Sequence, residues 1–233
     1  MKKIIFNQDP LFEFENPNHH RIKDELITFI YNDWELEKDR VHKRNDNTYV
    51  AVDNVSGKII HPFVKNNVKE SNFDFFERTH EVPLISNLFD FIHECMYNVQ
   101  LYMNRKFCES HYYETKYAAW YHITNNYGYH DFHAHGRTLS AFYVIRGDPN
   151  AQENNNGLFL FRDFTEPKET DDPFCDYVRA THSRTYAPRQ TDGSLCIFPG
   201  WINHSAKPYN GEKDRIVLSI NTCLLYTSDA ADE

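Results

Sequence analysis

Two regimes of hydrophobic spacing divide this chain. Over roughly the first 105 residues the apolar positions recur at helical intervals. Ile22, Leu26, Ile27, Ile30 and Trp34 fall three or four residues apart, with Lys23, Asp24 and Glu25 on the other side, which predicts a short amphipathic helix. Leu84, Leu88, Ile92, Met96, Val99 and Met103 repeat in the same way after Pro83, which predicts a longer scaffold helix over 83–105. His93 and Cys95 on it read as structural. Residues 1–16 alternate loosely, as an edge strand would, and end in the turn signal Asn16-Pro17-Asn18. Residues 38–81 are polar, carry one turn signal at Asn54-Val55-Ser56-Gly57, and predict no element.

From Tyr112 onward the pattern changes to short runs rich in Tyr, Phe, Ile, Val and Thr, which predict strands over 116–124, 139–145, 158–161, 194–198 and 215–221. Turn clusters separate them: Asn125-Asn126-Tyr127-Gly128, residues 147–157, and Pro208-Tyr209-Asn210-Gly211. Helices first and many short strands afterwards predict an α+β, mainly β fold. The expected architecture is a double-stranded β-helix, a jelly-roll or cupin-like barrel, with the N-terminal helices packed outside it. No Gly/Ser- or Pro-rich linker interrupts the chain, so a single domain is expected over 1–222, helical in 1–110 and jelly-roll in 111–222. The last residues, 223–233, resemble a translated sequencing adapter and are read as a non-native tail.

Composition narrows the picture. The 18 Phe and 15 Tyr among 233 residues supply material for a full aromatic core. A net charge of −9 gives no general attraction to phosphate, so nucleic acid is not an expected partner. Met1-Lys2-Lys3-Ile4-Ile5-Phe6 is too short for a signal-peptide core, and no run reaches the ~20 apolar residues of a membrane helix. The five Cys form no C-x-x-C and are odd in number, which fits free thiols in a reducing cytoplasm.

The candidate chemistry lies in Tyr129-His130-Asp131-Phe132-His133-Ala134-His135, just before the strand that starts at Leu139. In an extended strand His133 and His135 point to one side, so both imidazoles can grip one metal ion. His204, after the turn Phe198-Pro199-Gly200-Trp201, is the candidate third ligand, with Trp201 expected to pack beneath it. Three ligands on one side of a metal, with the remaining positions open, is the form of iron(II) oxygenase sites. With 13 His in the chain, chance alone gives about 0.7 H-x-H pairs, so the pair counts only with its surroundings. Asp131 or His130 could replace His135 if the register differs.

Taken in order, Gly128, His133-x-His135, Ser140 with Tyr143, Gly157-Leu158-Phe159-Leu160-Phe161-Arg162-Asp163, Pro188, residues 193–199 (GSLCIFP), His204 and an Arg215-led strand ending in Asn221 resemble the 2-oxoglutarate and Fe(II)-dependent dioxygenase superfamily. The resemblance is closest to oxygenases of phage and marine microbial genomes, and it covers roughly residues 117–221. The chain departs from that pattern at Gly136, where Pro is common, and at His135, where most of the superfamily has Asp or Glu.

The resemblance implies that His133, His135 and His204 hold Fe(II) and that 2-oxoglutarate chelates it. Arg215 would pair with the far carboxylate of 2-oxoglutarate, and Ser219 and Tyr121 would add hydroxyl hydrogen bonds. With O2, such an enzyme hydroxylates a substrate and decarboxylates 2-oxoglutarate to succinate. The substrate is not legible, and the setting implied is the cytoplasm of a bacterial or virus-infected cell. Two other readings remain open: a cupin-like metal protein that does not use 2-oxoglutarate, and a non-catalytic structural or interaction barrel.

Overall fold

A computed structural model of the protein describes residues 1–6, 9–45, 51–52, 59–60, 68–104, 113–135, 139–162 and 185–226. In chain order the elements are β1 (Lys2–Phe6), β2 (Asp9–Glu15), α1 (His19–Asn45), β3 (Ala51–Val52), β4 (Ile59–Ile60), β5 (Val68–Glu70), α2 (Phe75–Thr79) and α3 (Pro83–Asn104). They continue with β6 (Tyr113–Thr124), β7 (Gly128–His133), β8 (Leu139–Arg146), α4 (Ala151–Asn154), β9 (Phe159–Arg162), β10 (Thr185–Tyr186), β11 (Ser194–Pro199), β12 (His204–Tyr209) and β13 (Arg215–Tyr226).

The protein is mainly β. A seven-stranded sheet runs β1-β2-β11-β8-β13-β6-β5, and a four-stranded sheet runs β10-β9-β12-β7; their strand pairs are antiparallel. Among the described residues, strands β3 and β4 pair only with each other. Because successive side chains on a strand point to opposite faces, the large sheet has two cores. Ala119, Tyr121, Ile123, Ala141, Tyr143, Ile145, Leu195, Ile197, Ile216, Leu218 and Ile220 face one way, into a core completed by Leu26 and Ile30 of α1 and Leu88, Ile92, Met96 and Val99 of α3. Their neighbours in the alternation, Phe142, Val144, Cys196, Phe198 and Val217, face the other way and meet Phe159 and Phe161 of the small sheet.

The expected helices and strands have counterparts, with differences at their limits. The N-terminal segment is not one edge strand but an antiparallel pair, β1 on the sheet edge and β2 inside against β11. Helix α1 runs well past Trp34, because Glu35, Leu36, Glu37 and Lys38 are all good helix formers. The polar stretch 38–81 is not featureless, since it supplies β5 and α2. Strand β13 continues through Cys223 to Tyr226, paired residue by residue with β6 back to Tyr113, so the backbone of the first four residues of the expected tail lies in a strand. Residues 227–233 lie outside the described residues.

Hydrogen-bonded carboxylates tie the helices to the sheet. Asp33 on α1 is buried and receives both terminal nitrogens of Arg78, Nη1 to Oδ1 at 2.6 Å and Nη2 to Oδ2 at 3.1 Å. The Tyr121 hydroxyl donates to the same Oδ2 at 2.8 Å. Glu37, one helical turn on, accepts Asn72 Nδ2 at 3.1 Å. Removing one partner from such a group leaves the others buried and uncompensated, which costs far more than a surface pair is worth. Asp33→Ala should therefore destabilise the fold by about 3 kcal/mol. Urea unfolding measures it, and a loss below about 1 kcal/mol, the worth of a surface pair, would remove Asp33 from that role.

Candidate metal centre

The two strands carrying the histidines, β7 and β12, are not visible as apolar alternation in the sequence, and they pair with each other. His204 stands opposite His133, and Ala206 stands opposite His130. Between those pairs β7 advances three residues while β12 advances two, a bulge that turns His130 and His133 to the same face. His135 lies just beyond the end of β7, where its backbone N–H donates to Gly200 O at 2.7 Å. The turn before β12 thereby fixes both flanks of the site.

The three rings cluster tightly. Ring centroids lie 4.3 Å apart for His133–His204 and 4.9 Å apart for both His133–His135 and His135–His204. One ligand nitrogen from each lies within 4.8 Å of the others, so a single ion could be shared by all three. Phe159 stacks on His204 at 5.4 Å, Phe198 meets it edge-on at 4.9 Å, and Trp120 lies 6.3 Å from His135. Burial, and secondarily the charge His133 would carry, lowers the pKa of His135 to about 4 and that of His204 well below the usual imidazole value. Both are neutral at pH 7, the state a metal ligand requires.

The hydrogen bonds assign the ring protons. His133 Nδ1 donates to Asp131 O at 2.7 Å and His204 Nδ1 to Ile202 O at 2.8 Å, which leaves Nε2 of each as a lone pair. His135 differs. Asn221 Nδ2 donates to its Nδ1 at 3.2 Å, and its Nε2 then donates to His204 Nε2 at 3.0 Å. Asn221 Oδ1 accepts from Ser140 Oγ at 2.7 Å. For His135 Nε2 to face a cation, the Asn221 amide must turn over, so that its oxygen accepts Nδ1–H and its nitrogen donates to Ser140. Asn221 thus controls the tautomer of His135.

The sequence-named residues divide. His133, His135 and His204 are brought together. Asp131 is exposed and takes part only through its backbone carbonyl, and His130 joins a different cluster with Glu70 and His122. Arg215 and Ser219 lie on the inner face of β13, in alternation with Val217 and Asn221; Ser219 Oγ is bonded to His122 Nε2 at 2.9 Å. Tyr121 is a correction. It points into the helix-packed core, bonded to Asp33, because Trp120 and His122 take the inner positions of β6. Trp201 is a second correction: it is 47% exposed, and its neighbour Ile202 packs inside instead. Asp163 and Gly136 lie outside the described residues. Thr124, Glu70 and His122 were not singled out from the sequence, Asn221 was named only as the end of the Arg215-led strand, and His130 only as a replacement for His135. Alternation along 120–124 was the available signal for Thr124 and His122.

Comparison with known proteins follows the same line. Residues 118–221, a little under half of the chain, match a family model described as "Putative 2OG-Fe(II) oxygenase". The fold is similar to that of a prolyl hydroxylase from Trichoplax adhaerens, solved with a peptide fragment of the hypoxia inducible factor oxygen degradation domain. That likeness has a TM-score of 0.50 at 9% identity and covers 91% of this chain and 82% of that one. A prolyl-4-hydroxylase from Pseudomonas putida gives a TM-score of 0.49 at 10% identity, covering 91% of each chain. No curated protein matches the chain. The family match is a likeness to 2OG-Fe(II) oxygenases over residues 118–221, and the likeness to the solved structures is one of fold, of the jelly-roll type.

Since the folded-state pKa of His135 lies below the unfolded value of 6.5, protons bind the unfolded chain more readily between those limits. Its contribution to stability is complete above pH ~6.5 and is lost as pH falls toward 4. In EDTA, His135→Asn should flatten the decline in urea midpoint between pH 6.5 and 4.5. Parallel curves for the variant and the parent would contradict the buried neutral imidazole.

Proposed function

We propose that this protein is an Fe(II)- and 2-oxoglutarate-dependent oxygenase that hydroxylates its substrate and decarboxylates 2-oxoglutarate to succinate. In this reading the two sheets form the double-stranded β-helix, with α1 and α3 outside it, and His133, His135 and His204 hold the iron. Three neutral imidazoles leave the metal its full positive charge, which favours a dianionic keto acid as co-substrate.

The observation that carries the reading is Arg215. It is 6% exposed, and among the described residues it makes no hydrogen bond or ion pair. Burial lowers its pKa only to about 10, so it stays charged at neutral pH. Its cross-strand partner on the same inner face is Thr124, whose buried Oγ1 likewise has no hydrogen-bond partner among the described residues. A buried cation without a counter-ion costs several kcal/mol, so this pair is built to meet an anion. The far carboxylate of 2-oxoglutarate fits: two oxygens for the guanidinium fork, and one accepting the threonine hydroxyl. A cupin-like metal protein without such a co-substrate would have no use for this cation.

When bound, iron, 2-oxoglutarate and O2 supply the oxidising chemistry. The chain's own part is to hold and shield. Arg215 and Thr124 orient the co-substrate, Asn221 sets the His135 tautomer, and Phe159, Phe198 and Trp120 keep water from the histidines. Ser219, bonded to His122, bounds the same face.

Anaerobic titration of 2-oxoglutarate into the Fe(II)-loaded protein, followed by the visible charge-transfer band of the chelate, tests this reading. Arg215→Lys and Arg215→Ala should weaken binding roughly 10- to 100-fold while sparing the iron. Thr124→Val should weaken it roughly 2- to 10-fold. Equal affinity in the parent and both Arg215 variants would remove Arg215 from the site and leave the cupin-like or non-catalytic reading.

A further inference from the structure

We propose that Glu70, His122 and His130 form a second binding site for a divalent first-row transition metal, of the zinc class, separate from the three-histidine cluster. The three residues come from three strands and both sheets. Glu70 on β5 stands opposite His122 on β6 in the register, and the bulge in β7 turns His130 inward to face them. One ligand atom from each lies within 4.8 Å of the other two.

The geometry favours a shared cation over a direct pair. His122 Nδ1 and Glu70 Oε1 are 4.0 Å apart, too far for a hydrogen bond. Two atoms each about 2.1 Å from one ion stand roughly 3–4 Å apart, so a small closure completes the site. The His122 and His130 rings lie 4.7 Å apart and perpendicular, at 89°, so an edge of one approaches the other without stacking. The His122 ring is also held in place: its Nε2 is bonded to Ser219 Oγ at 2.9 Å, and with the serine accepting from Nε2–H, Nδ1 would present its lone pair on the side of Glu70.

The chemistry of the donor set names the class. Two imidazoles and one carboxylate suit zinc, iron, cobalt or nickel; with a single hard oxygen donor, the set is poor for calcium or magnesium. Burial of His122 and the low exposure of the Glu70 side chain, 13%, keep competing water from most of the coordination sphere. Trp120 separates this cluster from the first, its ring 6.0 Å from His122 and 6.3 Å from His135, so the two groups share no ligand. The inference therefore stands apart from the oxygenase reading and would survive its failure.

The test is zinc stoichiometry on the intact, chelator-stripped chain, by equilibrium dialysis and elemental analysis. The parent should bind two equivalents. His133→Ala/His204→Ala should retain one, which reports the second site alone. In that background, Glu70→Gln, which preserves side-chain volume, should weaken the remaining zinc at least about 10-fold, and His130→Ala should abolish it. Circular dichroism confirms that each variant is folded, and Glu70→Gln decides if His130→Ala is not. No zinc in a folded His133→Ala/His204→Ala variant, or a remaining equivalent unchanged by Glu70→Gln and by any folded His130→Ala variant, would overturn the proposal, whereas one equivalent in the parent that survives the double substitution would speak only against the first site.

Discussion

The pleat of β13 decides which polar residues of the large sheet face the clustered histidines. It lies inside the large sheet, paired with β6 on one edge and β8 on the other. Alternation sends Ile216, Leu218 and Ile220 into the core under the helices, and Arg215, Val217, Ser219 and Asn221 toward the small sheet. A slip of one residue would exchange the two sets, placing a guanidinium and an amide in the apolar core. The apolar core therefore enforces the register that aims the polar residues, and stability and function are specified by the same pairing.

The second constraint is proton placement. An imidazole offers a lone pair to a metal only where its other nitrogen keeps the proton. Backbone carbonyls settle this for His133 and His204, and backbone position is rigid. For His135 the partner is a side-chain amide, which can present either its oxygen or its nitrogen. The third imidazole of the cluster is thus tuned by Asn221 and, through it, Ser140. An aspartate at position 135 would need no such relay, since a carboxylate has no tautomer to choose.

The helical layer contributes by holding rather than reacting. Asp33 takes Arg78 and Tyr121 together, so α1, α2 and β6 are joined at one carboxylate. That anchor lies under the residues of β6 whose neighbours, Trp120, His122 and Thr124, face the interior between the sheets. Tyr121 resembled a co-substrate ligand by its position in the chain, and its role is instead to bind the sheet to its scaffold.

Much of this was legible in the chain. Helical spacing located α1 and α3, and apolar alternation located β6, β8, β9, β11 and β13, because burying one face of an element imprints its period on the sequence. The H-x-H pair, the later His204 and Arg215 were legible through residue type and order. The strands that carry or adjoin the clustered histidines, β7 and β12, were not, because histidines and other polar residues replace the apolar positions that would reveal a strand. Three matters lay beyond the sequence. The bulge in β7, which turns His130 and His133 to one face, is a property of pairing with β12. The meeting of Glu70 with His122 and His130 joins segments from a polar stretch, a core strand and a bulged strand. The face on which Tyr121 and Thr124 lie depends on which side of β6 the helices cover. Local pattern reports which residues prefer burial, whereas only the assembled sheets decide which buried residues share a space, since that depends on register between segments far apart in the chain.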